Sequence, residues 1–287
     1  MNSLNMMQDV TVIIVTFNSS HCIPALEKTI ASLPHVIVVD NASEDNSLEK
    51  IRTSLPQSSL ITNSQNLGFG AANNRALAAV NTPYALLLNP DCIPTPEFFE
   101  SIQKAAAQFP HAAIIAPHLI RRNGEPEISY RWPATHWQSK GSKAEGACCV
   151  GFVCGAVMLL NMKIMKEVGF FDETFFLYYE DEDLCQRVFL QGKQIVLVPD
   201  VEIKHLSRGS VKGPSPWKSE FIRGYHHAQS KLVFERKYFS AGHATRLRWK
   251  TLVLALITMI PRLLFPQPRY LARLTGRIAG LWQMPPD

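Results

Sequence analysis

Short apolar runs alternate with stretches that carry apolar residues at helical spacing from the start of the chain to about residue 200. A continuous run of aliphatic, β-branched residues is typical of a strand buried on both faces of a parallel sheet. Because strands and helices alternate, we predict an α/β fold with a mostly parallel sheet flanked by helices, and ligands beyond the carboxyl ends of the strands. The predicted strands are 10–16, 36–40, 59–63, 84–88, 112–116, 149–160 and 195–198, and the predicted helices are 24–33, 43–54, 71–80, 96–109, 162–168 and 180–191.

Polar side chains follow three of the predicted strands, at residues 16–18, 40–43 and 89–91. Each segment alone is also typical of a turn, since Asn, Asp and Ser form local hydrogen bonds with the backbone. The carboxyl ends of parallel strands meet at one edge of a sheet, so three such segments together predict a binding site there. For Asp40 a helix N-cap on the helix predicted at 43–54 is an equally physical role.

A glycine-bearing segment follows the third predicted strand and opens a helix. Gly68 gives this turn the conformational freedom that a close approach to phosphate or ribose requires. Arg75 either reaches a phosphate group or covers the surface of the helix. The segment lacks the G-x-G-x-x-G spacing, which makes a nicotinamide-dependent oxidoreductase improbable.

An acidic cluster, Glu180-Asp181-Glu182-Asp183, opens the last predicted helix. Carboxylates favour helix N-termini, so a solvated helix start is one interpretation. Aromatic residues at 175–179 argue against full solvation, and crowded like charges raise at least one carboxyl pKa. Asp183 has the further alternatives of orienting its neighbours or pairing with Arg187, four residues later.

The charge of the chain is divided between an acidic body and a basic tail. Residues 204–287 contain 15 Lys and Arg against 3 Asp and Glu, whereas residues 1–203 contain 14 and 21. Such a tail attracts nucleic acid, anionic lipid or a phosphorylated substrate, but the sequence contains no nucleic-acid-binding module. Six cysteines without disulfide spacing, and an N-terminus without a signal peptide, indicate a cytosolic protein.

The basic tail contains an amphipathic helix predicted at 217–238 and an apolar segment at 251–265. The apolar segment falls short of the roughly 20 residues that span a bilayer, and Pro261 and Arg262 interrupt it. We therefore expect it to lie at a membrane surface, with a buried helical hairpin or a dimer contact as alternatives.

The chain resembles the nucleotide-sugar glycosyltransferases of family 2, which have the Rossmann-like GT-A fold, and within them bacterial rhamnosyltransferases of O-antigen and cell-surface polysaccharide synthesis. This resemblance implies a GT-A catalytic domain over residues 1–210, with a donor half at about 1–116 and an acceptor half at 117–210, and a helical, basic region at 211–287. The matching stretches lie between residues 10 and 205 and read VTVIIVTFNS, VIVVDNAS, NLGFGAANN, YALLLNPD, CGAVMLL, GFFDETFFLYYEDEDLCQR and VPDVEIKH.

The resemblance also implies a divalent cation, Mg²⁺ or Mn²⁺, and an inverting mechanism. Asp91 corresponds to the metal-binding carboxylate, with Asn89 where the Asp-x-Asp pattern has its first Asp, and His205 corresponds to the histidine that completes the metal site. A lone histidine at a strand end also suits a structural role. The expected general base is Asp181, with Glu180 as the second choice. The residues expected to bind the donor are Thr16, Asn18, Asp40, Asn66, Gly68, Arg75, Asn89 and Asp91. The residues expected to bind the acceptor are Trp132, Cys154, Gly155, Ala156 and Asp183.

The expected function is transfer of a sugar, with rhamnose from dTDP-rhamnose as the first choice, to a hydroxyl of a glycan or polyprenyl-diphosphate-linked acceptor. The expected location is the cytoplasmic face of the inner membrane, without nucleic acid, and a homodimer is left open. The rival hypothesis is a non-catalytic nucleotide-sugar binding or scaffolding subunit of a polysaccharide assembly complex. The incomplete Asp-x-Asp pattern favours the rival, and the Glu180-Asp181 pair opposes it.

Overall fold

The computed structural model describes residues 7–132, 144–206, 209, 215–264 and 267–283. The chain divides into two compact units. The first unit comprises Met1–Leu67, Ala71–Phe171 and Leu184–Lys212, and the second comprises Gly68–Gly70, Asp172–Asp183 and Gly213–Asp287.

The first unit is built on a mixed, mostly parallel sheet. Its strands in the described residues are β1 (Val10–Thr16), β2 (Val36–Asp40), β3 (Ser59–Thr62), β4 (Tyr84–Leu88), β5 (Cys92–Ile93), β6 (Ala112–Ile120), β7 (Pro126–Glu127), β8 (Tyr130–Arg131), β9 (Cys148–Cys149), β10 (Phe152–Val153), β11 (Val157–Asn161) and β12 (Gln194–His205). The main sheet has the order β3-β2-β1-β4-β11-β6-β12-β5, with β7 on β6 and β9 on β12, while β8 and β10 pair with each other.

The longer strands of the main sheet pair mainly in parallel. Strands β3, β2, β1 and β4 are parallel, as are β6 and β12, and β11 runs antiparallel between β4 and β6. Every residue of β2 is buried, and β1 is buried except at Val15, as expected for strands covered on both faces. The prediction of a mostly parallel sheet flanked by helices is confirmed. Because Thr16 pairs with Asp40, the strand ends that carry predicted site residues lie side by side.

Helices cover the sheet, and local sequence explains where they begin. The helices that precede residue 200 are α1 (Ile23–Ile30), α2 (Ser47–Ser54), α3 (Phe69–Leu77), α4 (Pro96–Gln108), α5 (Met162–Val168) and α6 (Glu180–Leu190). Thr95 caps α4 by accepting a hydrogen bond from the Phe98 amide at 3.3 Å, and Pro96 occupies the first turn, where it needs no amide hydrogen. Phe99 and Ile102 then pack into the core beneath the sheet.

The two largest differences between the predicted strands and the structure concern the segments 149–160 and 195–198, while β6 is four residues longer than predicted and β3 one residue shorter. The segment predicted as one strand at 149–160 forms β9, β10 and β11, because its backbone changes partners: the Gly151 amide donates to Arg131 and the Cys154 amide to Ser129. Strand β12 is much longer than the predicted 195–198 and continues past an irregularity between Val198 and Glu202. This continuation carries β12 to His205.

The second unit contains three long helices, α7 (Pro216–Tyr238), α8 (Ala241–Leu264) and α9 (Pro268–Trp282), of which α9 was not predicted. Helices α7 and α9 approach each other closely at glycines. A Cβ at Gly224 would overlap the carbonyl oxygen of Arg273, and one at Gly276 would overlap that of Phe221. No helix in the described part of the chain is both long and apolar enough to cross a bilayer.

Gly276→Ala should destabilise the second unit, because the added methyl group must push α7 and α9 apart. Overpacking of this kind costs about 1–3 kcal/mol, which urea unfolding measures as a lower midpoint with an unchanged slope. Gly242→Ala is the control: nothing lies within 4 Å of a Cβ there, so its midpoint should stay constant or rise. Equal midpoints for Gly276→Ala and the unchanged protein would contradict the close packing.

Candidate functional site

Asp91 and His205 lie together in the first unit because β5 pairs with the end of β12. The antiparallel register sets His205 opposite Cys92, and the Leu206 amide donates to the Asp91 carbonyl at 3.0 Å. His205 Nε2 lies 3.7 Å from Asp91 Oδ2. The backbone therefore brings a carboxylate and an imidazole, distant in sequence, within reach of a single cation.

The Asp91 carboxylate is buried and only half satisfied. Its Oδ2 accepts a hydrogen bond from the Gly209 amide at 2.9 Å, whereas Oδ1 is buried without a hydrogen-bond partner. A Cβ at residue 209 would lie 3.1 Å from the Asp91 Cβ, so glycine there allows the amide to approach. A buried, unpaired carboxylate oxygen costs about 1–3 kcal/mol. Such an atom is suited to a ligand that the folded chain itself does not supply.

Glu127, which the sequence did not single out, orients the imidazole of His205. Its Oε2 lies 3.1 Å from Nδ1, which leaves Nε2 directed at Asp91. Burial acts to lower the pKa of His205, but the hydrogen bond that its ring makes to the Glu127 carboxylate and the charges of Asp91 and Glu127 outweigh burial and raise that pKa. A carboxylate on the outer nitrogen is the usual second partner of a metal-binding histidine.

Cys92 is the third potential metal ligand in this group. One ligand atom of each of Asp91, Cys92 and His205 lies within 4.8 Å of the others. Burial, followed by the charge of Asp91, raises the pKa of the Cys92 thiol well above its ordinary value, and its sulfur lies 3.8 Å from the Ala156 carbonyl. The thiol therefore stays protonated. Mg²⁺ and Mn²⁺ prefer oxygen ligands, which Asp91 supplies and Cys92 does not. His205 would add one nitrogen ligand, and the other positions would be left for phosphate and water.

The predicted acceptor-binding segment 154–156 lies beside the Asn89-Pro90-Asp91 turn. The Asn89 amide donates to the Ala156 carbonyl at 2.9 Å, which continues the pairing of β11 with β4. Trp132 packs edge to face on Tyr130, with ring centroids 5.8 Å apart.

Thr16 and Asp40 lie buried at the adjoining ends of β1 and β2. The Thr16 hydroxyl lies 3.3 Å from Asp40 Oδ1, and Asp40 Oδ2 accepts from the Ser43 amide at 3.1 Å. Helix α2 begins only at Ser47, so the alternative of Asp40 as its N-cap is wrong, and Asp40 instead closes the turn before that helix. Its carboxylate remains at the strand edge where donor binding was predicted.

Asn18 joins the loops that follow β1 and β2. It adopts a left-handed conformation with φ of 51°, and its side-chain oxygen accepts from the Glu44 amide at 2.8 Å. Its own amide donates to the Ser43 hydroxyl at 3.0 Å. Asparagine tolerates this conformation better than most residues, so its position here follows from backbone geometry as well as from any ligand contact.

A network of asparagine side chains continues along the same edge of the sheet. Asn41 donates to Asn66 at 2.8 Å and accepts from Asn63 at 2.9 Å. Arg75 Nη1 donates to Asn63 at 2.5 Å, so this guanidinium supports the network. Asn41 belongs to the predicted segment 40–43, whereas Asn63 was not predicted as a site residue; the recurrence of asparagine directly after β2 and β3 is the signal that could have found it.

The acidic cluster of the second unit is mostly buried. Glu180 has a buried Oε2 without a partner, and its pKa is raised well above the ordinary value by burial and then by the charge of Asp181. Asp183 is completely buried, with Oδ1 2.6 Å from Lys237 Nζ and 2.7 Å from the Tyr238 hydroxyl. Asp181 is half-buried and accepts from the Glu182 amide at 2.9 Å. The interpretation of a solvated helix start is therefore wrong for Glu180 and Asp183.

The backbone around this cluster is tightly constrained. Tyr178 and Tyr179 both have φ of 69°, which costs about 1–3 kcal/mol for each residue. Tyr179 is held in an apolar cluster with Phe175 and Phe234. Gly68, with φ of 87°, packs where a Cβ would overlap the Phe176 carbonyl. The contact with Phe176 therefore requires glycine at position 68. The predicted contact of Gly68 with the donor remains a prediction.

Comparison with known proteins finds a family match over residues 11–169, to the family described as "Glycosyl transferase family 2". Similar curated proteins include the N-acetylglucosaminyl-diphospho-decaprenol L-rhamnosyltransferase of Mycobacterium tuberculosis, 27% identical over 83% of this chain and 87% of that protein. The low-salt glycan biosynthesis hexosyltransferase Agl10 of Haloferax volcanii is also 27% identical, over 63% of this chain and 62% of that protein.

Solved structures with the same fold include the mannosyltransferase PcManGT from Pyrobaculum calidifontis in complex with GDP-Man and Mn²⁺. It has a TM-score of 0.59 and 15% identity, over 96% of this chain and 87% of that chain. S. aureus TarS has a TM-score of 0.55 and 19% identity, over 81% of this chain and 44% of that chain. These similarities confirm the predicted GT-A fold.

Glu127→Ala should weaken Mn²⁺ binding about 10- to 100-fold, the usual effect of losing the outer partner of a metal-binding histidine. Titration calorimetry, or the electron paramagnetic resonance signal of free Mn²⁺, measures this without any turnover. Glu125→Ala, two residues away on the exposed surface, is the matched control and should bind Mn²⁺ normally. Equal affinities in the two variants would remove Glu127 from the site.

Proposed function

The chain belongs to glycosyl transferase family 2, a family of glycosyltransferases, and we propose that it transfers a sugar from a nucleoside diphosphate donor to a hydroxyl group with inversion at the anomeric carbon. The observation that carries this proposal is the pairing of Asp91 with His205, which leaves one buried carboxylate oxygen open beside the carboxyl end of β4. The donor pocket proposed around Thr16 and Asp40 lies at the carboxyl ends of β1 and β2 in the same unit.

Asp91 and His205 are proposed to hold Mg²⁺ or Mn²⁺. When bound, the cation would stabilise the negative charge that develops on the leaving nucleoside diphosphate. Asp91 supplies an oxygen ligand, and Glu127 keeps the Nε2 of His205 turned toward it. Asn89 is uncharged and adds no second carboxylate. We therefore expect Asp91 and His205 to bind the cation more tightly when the donor diphosphate is present than when it is absent.

The remaining donor contacts are proposed from the edge of the sheet. Asp40 would accept a hydrogen bond from the ring N–H of a pyrimidine base, with Thr16 and Asn18 lining the pocket beside it. Gly68 and Arg75 are proposed near the donor phosphates, and Asn66 near the ribose. Rhamnose carried on dTDP is the first choice of donor, supported by the resemblance to rhamnosyltransferases and by the relative from Mycobacterium tuberculosis.

Asp181 is proposed as the general base. It takes the proton from the acceptor hydroxyl as that oxygen bonds to the anomeric carbon and the bond to the diphosphate breaks. Asp181 keeps partial exposure, whereas Asp183 is occupied by Lys237 and Tyr238. Burial raises the pKa of Glu180 and favours its protonated form, which makes Glu180 the second choice.

The proposed acceptor is a polyprenyl-diphosphate-linked glycan at the cytoplasmic face of the inner membrane. A relative is named for a decaprenol-linked diphosphate acceptor, which supports this choice. We assign 1–210 to catalysis, with the acceptor half at about 117–210, and 211–287 to association with the membrane surface. Residues 154–156 and Trp132 would contact the acceptor sugar.

Helix α8 supports membrane-surface binding. It exposes apolar side chains at spacings of three and four, with Ile257 57% and Leu264 70% exposed. Residues 241–282 contain seven Lys and Arg and no Asp or Glu, which suits an anionic lipid surface. The exposed apolar residues that share one face of α8 are Trp249, Val253, Leu256, Ile257, Ile260, Leu263 and Leu264.

Asp181→Asn should abolish transfer while leaving donor binding intact, because loss of a general base costs about 100- to 10,000-fold in rate. Release of nucleoside diphosphate and calorimetric binding of dTDP-rhamnose measure the two properties separately. Glu182→Gln removes a neighbouring charge and should retain transfer. Full transfer by Asp181→Asn would refute the assignment, and donor binding without transfer in the unchanged protein would favour a scaffolding subunit.

Ile257→Glu should reduce binding to vesicles of phosphatidylcholine and phosphatidylglycerol, since it places a charge in the apolar face of α8. Flotation measures the bound fraction, which should also fall as salt rises. Ile128→Glu, at an exposed position in the first unit, should bind normally. If neither protein floats and Ile257→Glu instead dissociates a dimer on size-exclusion chromatography, this face is an interface between copies.

A further inference from the structure

A group of basic side chains, four of them cationic at pH 7 and one a histidine, lies within the second unit on α7, α8 and α9. Its members are His227 and Lys231, four residues apart on α7, and Arg273 and Arg277, four residues apart on α9. The charges of Arg277, Arg273 and Lys231 all act on His227, and Arg262 of α8 acts on Arg277. We call these five residues the cationic cluster.

The glycine contacts between α7 and α9 fix the position of this cluster. Gly224 packs against the backbone of Arg273 and Arg277, and His227 follows on the next turn of α7. The backbones of Arg273 and Arg277 therefore lie against α7 about one turn before His227. The cluster is therefore set by backbone packing, and Arg273 is only 31% exposed in it.

Among the described residues, the three arginines of the cluster form only one ion pair with an acidic side chain. Glu220 is the nearest paired acid, 3.9 Å from Arg273, but it also binds Arg223 at 3.0 Å. No acidic side chain among the described residues forms an ion pair with Arg277. Half-buried like charges repel one another at low local dielectric, so this arrangement destabilises the protein unless an anion binds.

An aromatic wall borders the cluster. The His227 ring contacts Tyr178 and Tyr179, with centroids 5.6 Å and 5.4 Å apart. Burial, and then the charges of Arg277, Arg273 and Lys231, lower the pKa of His227 to about 4, so this ring is neutral at pH 7. A neutral imidazole beside guanidinium groups can donate one hydrogen bond to an anion without adding to the repulsion.

We infer that the cationic cluster binds the diphosphate group of the acceptor, with Arg273 and Arg277 as its principal ligands and His227 as an additional hydrogen-bond donor. Guanidinium groups bind phosphate oxygens in pairs, and two of them one helical turn apart match two linked phosphates. The inference rests on the proposed function, since it takes a lipid-linked diphosphate acceptor as the substrate. It deepens that function by naming the residues that would recognise the linkage.

Arg277→Gln should weaken binding of geranyl diphosphate, a soluble isoprenyl diphosphate, about 10- to 100-fold, the effect of losing a charged hydrogen bond. Arg277→Lys should lose less, and Arg269→Gln, at an exposed position on α9, should bind normally. Geraniol, which lacks the diphosphate, should not bind. The melting temperature of Arg277→Gln should stay constant or rise, whereas a structural ion pair would lower it.

Nuclear magnetic resonance of the histidine rings supplies a second readout, which is recorded on the unchanged protein. Geranyl diphosphate should raise the pKa of His227 from about 4, because the anion offsets the neighbouring cations. His227→Gln identifies the signal. No change in that pKa, or equal affinity of Arg277→Gln and the unchanged protein, overturns the inference.

Two further measurements, vesicle flotation and the kinetics of transfer, separate this inference from its alternatives. If Arg277→Gln reduces flotation with phosphatidylglycerol vesicles but geranyl diphosphate never binds, the cluster is part of the membrane surface. If transfer occurs and Arg277→Gln leaves the acceptor KM unchanged, the inference fails while the proposed function stands. If geranyl diphosphate binds as expected but no transfer is found, the proposed function is refuted and the inference that the cationic cluster binds a diphosphate stands.

Discussion

The pairing of β5 with the end of β12 is the constraint on which the candidate site depends. It sets His205 opposite Cys92 and so brings an imidazole to Asp91, which terminates a different part of the sheet. The pairing with β6 carries β12 past its irregularity to reach that point. Backbone hydrogen bonds, which are satisfied whether or not a ligand is present, thus position the two side chains, and Glu127 and Gly209 then set their orientation.

Three features of the structure are costly to the folded state and are best explained by function. Asp91 keeps a buried oxygen without a partner, Glu180 does the same, and Arg277 of the cationic cluster is half-buried without an ion pair to an acidic side chain of the described residues. Each is of the kind that natural proteins retain at binding sites, since a ligand then supplies the missing partner. The two successive left-handed tyrosines before Glu180 add strain next to the proposed base.

Much of the fold could be predicted because apolar runs and helical spacing are local signals. Strands β1, β2 and β4 lie at their predicted bounds, and the predicted sheet and GT-A resemblance are confirmed. The long extension of β12 and the division of 149–160 could not be predicted, because both depend on pairing with distant strands. Glu127 was missed for the same reason, since only the two-residue strand β7 brings it to His205. Asp40 was placed at the correct strand end, but whether it caps a helix depended on where α2 begins. The roles of the individual site residues remain predictions.

The most direct test of this account is a crystal structure of the protein with Mn²⁺ and a nucleoside diphosphate, recorded with anomalous scattering from manganese. The account predicts one anomalous peak at about 2.0–2.4 Å from Asp91 Oδ1 and from His205 Nε2, with phosphate oxygens completing its coordination. A manganese ion bound elsewhere, with Asp91 and His205 still in contact only with each other and the protein, would contradict the central claim.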